Sequence, residues 1–327
     1  MLDRTKRISV YQPTQPGLKF PELPEFETHQ QTRQHRKERL VAACRAFALQ
    51  GFDYGFAGHL TVRDPEHPQL YWTNPMCVHF SQVKVSNLIL VDHEGKVVEG
   101  DYAVNRAGFV LHAAVHEQRS LEPGLQRPHL VADGRRREAQ LHGRVGEAAQ
   151  ARGRLEGEYA VHRAGFVLHA AVHEQHPDIL AMCHAHTIYG TAFAALGKKL
   201  EPITQDAAAF YEDHVVIGDE AGQVAVEVQG GNRVANAFKG VKAAIHQNHG
   251  LLTASRHSID SAAFWFIALE RCCQQQLMVD ATGVTPKLVS PERARYSREH
   301  VGSVYIGWLH FLTIYEQLAQ TQPDMFR

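Results

Sequence analysis

The chain has 327 residues, 44% hydrophobic and 21% charged, the balance of a globular protein able to bury a large core. Its 34 basic and 35 acidic residues leave a formal net charge of −1, so no overall field would hold it on nucleic acid or an anionic membrane. No run of about 18 apolar residues occurs, and five cysteines without a CxxC pair, behind a start that lacks an apolar signal core, point to a reducing, cytoplasmic setting. Histidine is the outlier: with 22 in the chain, isolated histidine pairs carry little weight.

Residues 1–28 are polar, hold Pro13, Pro16, Pro21 and Pro24, and read as an extended or disordered arm. Leu40, Val41, Cys44, Phe47 and Ala48 fall at helical spacing and predict a first amphipathic helix over 32–50. Gly51, Gly55 and Gly58 mark a tight loop before a short strand at 60–62. Further strands are expected at 69–73, 86–92 and, past a turn at 93–95, 96–100, so the first third reads as an antiparallel sheet. Residues 99–118 (EGDYAVNRAGFVLHAAVHEQ) then recur at 156–175 as EGEYAVHRAGFVLHAAVHEQ, and the Arg- and Gly-rich stretch between them reads as inserted material. The repeat is best explained as a local duplication or as exon or intron sequence joined into the reading frame. One core slot takes one copy of the helix. The second copy, joined directly to the strand that follows, is its expected occupant, although the first keeps Asn105 where the second has His162.

Downstream, 178–186 (DILAMCHAH) predicts a buried strand, 187–197 a helix ended by Gly197, and 214–217 a strand. A helix begun at Asn232 is expected over 230–240, a strand ending in a turn over 243–250, and another strand over 251–255. Ser258 caps a long, mostly buried helix over 258–280, and a last helix covers 291–318. The organisation expected is an arm (1–28), one domain (29–320) interrupted at about 101–157, and a tail (321–327).

Along a strand, residues i and i+2 share a face, so His184 and His186 project side by side, as two ligands of one metal must. That pair alone is weak, since chance supplies roughly one or two such pairs at this histidine frequency. A third element is HQNHG at 246–250, where a strand delivers His249 to a turn at Gly250. By alternation His246 faces the other way and reads as structural. His169 and His173, at i, i+4, read as packing or surface residues, and Cys272, Cys273 and the stripe AAFWFIAL as core.

Taken in order, RAGFVLHAAVHEQHPDILAMCHAHTIYG, PITQDAAAFYEDH (202–214) and QNHGLLT resemble the class II aldolase/adducin family over roughly residues 35–280, in the adducin-like variant in which AGF replaces an acidic residue. The resemblance implies an α/β fold, a three-layer α/β/α sandwich around a predominantly antiparallel sheet, commonly assembled as a tetramer with active sites between subunits. It implies a divalent metal held by His184, His186 and His249, zinc first, with iron(II), manganese and cobalt permitted by the same ligands. Three imidazoles leave an open coordination position, and a Lewis acid there stabilises the enolate that makes a C–C bond beta to the carbonyl breakable.

The expected activity is a metal-dependent lyase reaction, retro-aldol or decarboxylation, on a small oxo or hydroxy acid or a sugar-derived substrate. An epimerase or a non-haem iron oxygenase would use the same site. Family aldolases carry a proton-transferring glutamate where this chain has Gly165 in the second copy and Gly108 in the first. Glu212, Asp213 and His214, with Tyr211 beside them, are the substitutes to be tested. Decarboxylation needs an electron sink but no initial proton abstraction. The family's phosphate loop is matched by Gly58 with His59 in place of asparagine, and its second substrate loop by Asn74, His79, Ser81 and Lys84. Gln205 completes the candidate substrate contacts. The alternative is an adducin-like binding protein with actin or other cytoskeletal partners. Adducins carry a lysine-rich tail, and no basic run precedes Arg327, which favours a small soluble enzyme.

Overall fold

The computed structural model describes residue 15 and residues 17–93, 95–104, 172–173, 178–218 and 234–327. Among the described residues, eight short strands build one sheet: β1 (Gly58–Arg63), β2 (Tyr71–Thr73), β3 (Ile89–Val91), β4 (Val97–Glu99), β5 (Ala181–Ala185), β6 (His214–Ile217), β7 (Ala243–His246) and β8 (Gly250–Ser255). Their order is β4-β3-β2-β1-β5-β8-β7-β6, and every neighbouring pair is antiparallel except β6 with β7. The central strands β1, β5 and β8 are buried along their whole length, which requires cover on both faces.

Strand alternation sorts the core into two layers. Leu60, Cys183, Ile245 and Leu251 face a large cluster formed with α1 (His29–Leu49), α4 (Ile259–Asp280) and α6 (Val304–Thr321). Phe47, Phe266 and Phe311 are fully buried there, each contributing about 1.5–3 kcal/mol over an exposed ring. Met182, Ala244 and Leu252 face the opposite way, against Val172, Val234 and Phe238. This is an α/β fold with helices on both faces of a mixed, mostly antiparallel sheet. Between β5 and β6 lie two short helices, α2 (Ile188–Ala194) and α3 (Gln205–Ala208). Among the described residues no helix is long and apolar enough to cross a membrane.

Several boundaries differ from those expected, each for a local reason. The first helix starts at His29, not residue 32, because Thr28 and Gln31 form a reciprocal capping box. Of the expected arm, residues 17–28 are described, and Phe26 lies against His35 with ring centroids 4.7 Å apart. The last helix divides into α5 (Pro291–His300) and α6 at Gly302, where a Cβ would come within 2.5 Å of the Ala209 carbonyl oxygen and 2.7 Å of Lys242 Nζ. The expected tail folds back as a 3-10 turn, Pro323–Phe326, with Met325 buried and the Ser86 amide donating to the Arg327 carbonyl at 2.9 Å.

The repeated segment is represented by Val172 and His173 of its second copy, helical and buried on the second face. The matching residues of the first copy, together with His162, Gly165 and His169, lie outside the described residues. His173 stacks on Tyr71 at 4.5 Å, donates from Nδ1 to the Ile179 carbonyl (3.2 Å), and accepts at Nε2 from the Thr61 hydroxyl (2.9 Å). Burial, aided by the Arg63 guanidinium, pulls its pKa down to about 3.

That depression fixes a pH dependence. The unfolded chain takes up a proton near pH 6.5 that the native His173 refuses until about 3, so stability is full above about 6.5 and declines as pH falls through that window. In His173→Gln the decline of unfolding free energy below pH 6.5, followed by urea titration, should be shallower by about 1.4 kcal/mol per pH unit. An unchanged slope would refute this role.

Candidate metal centre

The three histidines converge through the register of the central ladder. On β5, His184 shares the face of Met182, and His186 follows one residue past the strand's end. β7 and β8 are joined by the short turn 247–249, in which Asn248 takes the left-handed region at φ 58°, a conformation asparagine tolerates. The turn closes with the His249 amide donating to the His246 carbonyl at 3.0 Å and presents the His249 ring to β5. Gly250 follows at φ 157°, a backbone conformation that residues with a side chain rarely adopt.

His184, His186 and His249 place one ring nitrogen each within 4.8 Å of one another, the one metal-capable grouping of this kind among the described residues. His184 Nδ1 donates to the Leu251 carbonyl at 2.8 Å, which fixes the tautomer and turns Nε2 into the cluster. There it lies 3.2 Å from His249 Nε2. Two nitrogens each about 2.05 Å from a tetrahedral ion would be about 3.3 Å apart, so the spacing suits a shared cation. Burial lowers the pKa of His186, and burial together with His246, His186 and His59 lowers that of His249 to about 3. Neutral imidazoles are the ligating form. The donor set therefore fits a divalent metal with room for further ligands.

Two more histidines stand beside the three. The β1–β5 register sets His59 directly opposite His184, on the same face and 5% exposed, and its pKa falls to about 4 through burial and the nearby His186. His246 was expected to face away from His249; instead its ring stacks on that of His249 at 4.8 Å, because the tight turn folds His249 back over the end of β7.

The other sequence candidates lie apart from this cluster or are engaged elsewhere. Gly58 takes φ 154° beneath Phe80, and Asn74 is spent on backbone, accepting from the Leu60 amide (3.1 Å) and donating to the Gly58 carbonyl (3.5 Å). Both line a small cavity with Asp53, Phe56 and Cys77. The Ser81 hydroxyl bonds His79 at 2.7 Å, His79 meets Asp53 at 2.8 Å, and Lys84 lies 3.7 Å from Asp324. Gln205 is exposed at the start of α3. Glu212 is exposed and held by Arg295 (2.9 Å) and Arg298 (3.5 Å), and Arg295 keeps its pKa below the ordinary value. The Arg295 guanidinium also lies 5.8 Å from the Tyr211 ring. Asp213 pairs with buried Lys242 at 3.0 Å, and His214 accepts from the Leu200 amide.

Topology explains the separation of Tyr211, Glu212 and Asp213 from the histidines. Parallel pairing sets His214 beside Ala243 and Ile217 beside His246, so the YED segment enters at the far end of β7, about 10 Å along the strands. Within one chain it does not reach the cluster. Sequence reading missed Glu270, whose carboxylate accepts from Thr187, Tyr189 and Gly190 just past His186. Its signal was a glutamate inside an apolar helical stripe.

The sequence pattern described as Class II Aldolase and Adducin N-terminal domain matches residues 38–121 and 140–277. The chain belongs to this family. Among its relatives, the decarboxylase NovR of Streptomyces niveus is 34% identical over 94% of this chain and 92% of its own length. The 4-hydroxy-3-prenylphenylpyruvate oxygenase/4-hydroxy-3-prenylbenzoate synthase of Streptomyces roseochromogenus subsp. oscitans is 35% identical over 94% and 90%. In fold the chain is similar to the L-fuculose 1-phosphate aldolase from Glaciozyma antarctica PI12, at TM-score 0.69 and 34% identity over 94% of this chain and 97% of that one.

Glu212 gives a direct check of the geometry. Metal uptake by Glu212→Gln, measured by elemental analysis of the purified protein, should match that of the parent. A lower metal content would bring this carboxylate to the centre after all.

Proposed function

We propose that this protein is a divalent-metal enzyme that breaks a carbon–carbon bond beta to a carbonyl in a small oxo or hydroxy acid, by decarboxylation in preference to retro-aldol cleavage. The observation that carries the reading is the three-imidazole cluster, with His184 Nε2 and His249 Nε2 at the spacing of ligands on one ion. The metal, zinc or iron(II) by ligand type, would be held by His184, His186 and His249 and would supply an electron sink for the charge left when the bond breaks. The chain's own part is to hold the His186 and His249 imidazoles neutral, to fix His184 through the Leu251 carbonyl, and to keep bulk water from the buried side through β1, β5 and β8.

Decarboxylation is preferred for two reasons. The sequence has glycine, Gly165, at the position of the family aldolases' glutamate, and neither Glu212 nor Asp213 stands at the histidines within one chain. The Asn74 amide is committed to backbone and Lys84 lies near Asp324, which speaks against a sugar phosphate and for a carboxylate substrate. Exposed Ile188 and Tyr189, directly after the ligand pair, add an apolar flank suited to an aryl or alkyl side chain and to the approach of a second copy of this chain. An oxygen-dependent reaction at iron(II) is the second reading, favoured by the likeness to an oxygenase along 94% of this chain.

Purified protein should carry about one divalent ion per chain, and His184→Ala should lose it together with CO2 release from aryl 3-oxo acids, whose carbonyl accepts the electron pair, and from aryl 2-oxo and 2-hydroxy acids, whose decarboxylation draws on oxygen as oxidant. Release that persists without oxygen supports decarboxylation, and release that stops without oxygen supports the second reading. Protein that takes up no zinc, iron, manganese or cobalt would refute both, and actin co-sedimentation would then become the test of an adducin-like role.

A further inference from the structure

We infer that Glu270 is a positioning residue of the metal centre: its carboxylate pins the segment following His186 and so sets where that imidazole meets the ion. The inference rests on the metal reading proposed above.

Glu270 lies in the middle of α4, between Leu269 and the buried pair Cys272 and Cys273, and is itself only 6% exposed. A carboxylate in such surroundings is costly unless donors converge on it. Three do. The Thr187 hydroxyl donates at 2.5 Å, the Gly190 amide at 2.6 Å and the Tyr189 amide at 2.9 Å. All three come from the residues just after His186, at the entry to α2. The amides at a helix start have no partners within the helix, and the residue before it commonly supplies one. Here Thr187 makes no such side-chain cap. Its hydroxyl turns to Glu270 instead, and the carboxylate of a distant helix satisfies the amides.

Close packing makes the arrangement specific. A Cβ on Gly190 would come within 2.7 Å of Glu270 Oε2 and 2.5 Å of Leu251 Cδ1, so α2 presses against both residues at once. Leu251 is the residue whose carbonyl accepts from His184. One contact thus braces both ligands of the pair, His184 through Leu251 and His186 through Thr187. Glu270 is not a ligand itself. Its helix packs on the face covered by α1, α4 and α6, whereas His184 projects from the opposite face with Met182 and Leu252.

Cobalt(II) titration of the metal-free protein tests this, read by dissociation constant and by the visible d–d absorption of the bound ion. Glu270→Ala and Thr187→Val should each weaken Co2+ binding by about tenfold or more and shift the absorption band. Glu270→Gln, which keeps a carbonyl acceptor, should recover part of the loss. Far-UV circular dichroism of the metal-free forms separates these effects from unfolding, and if Glu270→Ala does not fold, Thr187→Val decides. A parent that binds Co2+ alongside folded variants with its affinity and spectrum would overturn the inference and leave the metal reading standing. A parent that binds no Co2+ would overturn both.

Discussion

The pairing of β5 with β1 on one side and β8 on the other is the constraint on which the molecule depends. It aligns His59, His184 and Leu252 across three strands. Because β5 is buried on both faces, its alternation cannot slip by one residue without exchanging Cys183 and Met182 between two separate cores. The same constraint keeps His184 turned toward the turn that carries His249. The register that organises the hydrophobic layers therefore also assembles the ligand atoms.

Much of this was written in periodic, local signals. The strand at 178–186, the capped helix from Ser258 and the same-face pair His184 and His186 follow from alternation, capping and spacing, which act over a few residues. The long-range order was less legible. Whether Glu212 and Asp213 lie near His249 depends on which end of β7 pairs with the start of β6, and no local pattern encodes a parallel crossover. Those acids are neighbours of Arg295 and Lys242 instead.

His246 shows a different limit. Alternation describes a straight strand, but Asn248 in a left-handed conformation folds the chain back within a few residues, so His249 no longer obeys it. Glu270 was obscured by its surroundings. In a stripe of Ala, Phe, Trp, Ile and Leu, a single acidic residue reads as the polar edge of a core helix, and only the fold reveals three donors facing it. Burial also gives Lys242 its role, with Nζ donating to the Ala209 and Gly302 carbonyls at the break before α6.

The contact between His184 and His249 joins residues 65 apart in sequence. In an unfolded chain those nitrogens are scattered, so an ion that needs both has little to hold it, and chelation and folding become one equilibrium. The ion would act as a removable cross-link over the centre of the sheet, closing a long loop of chain without a covalent bond. Its concentration in the surroundings then enters the stability of the whole domain by mass action.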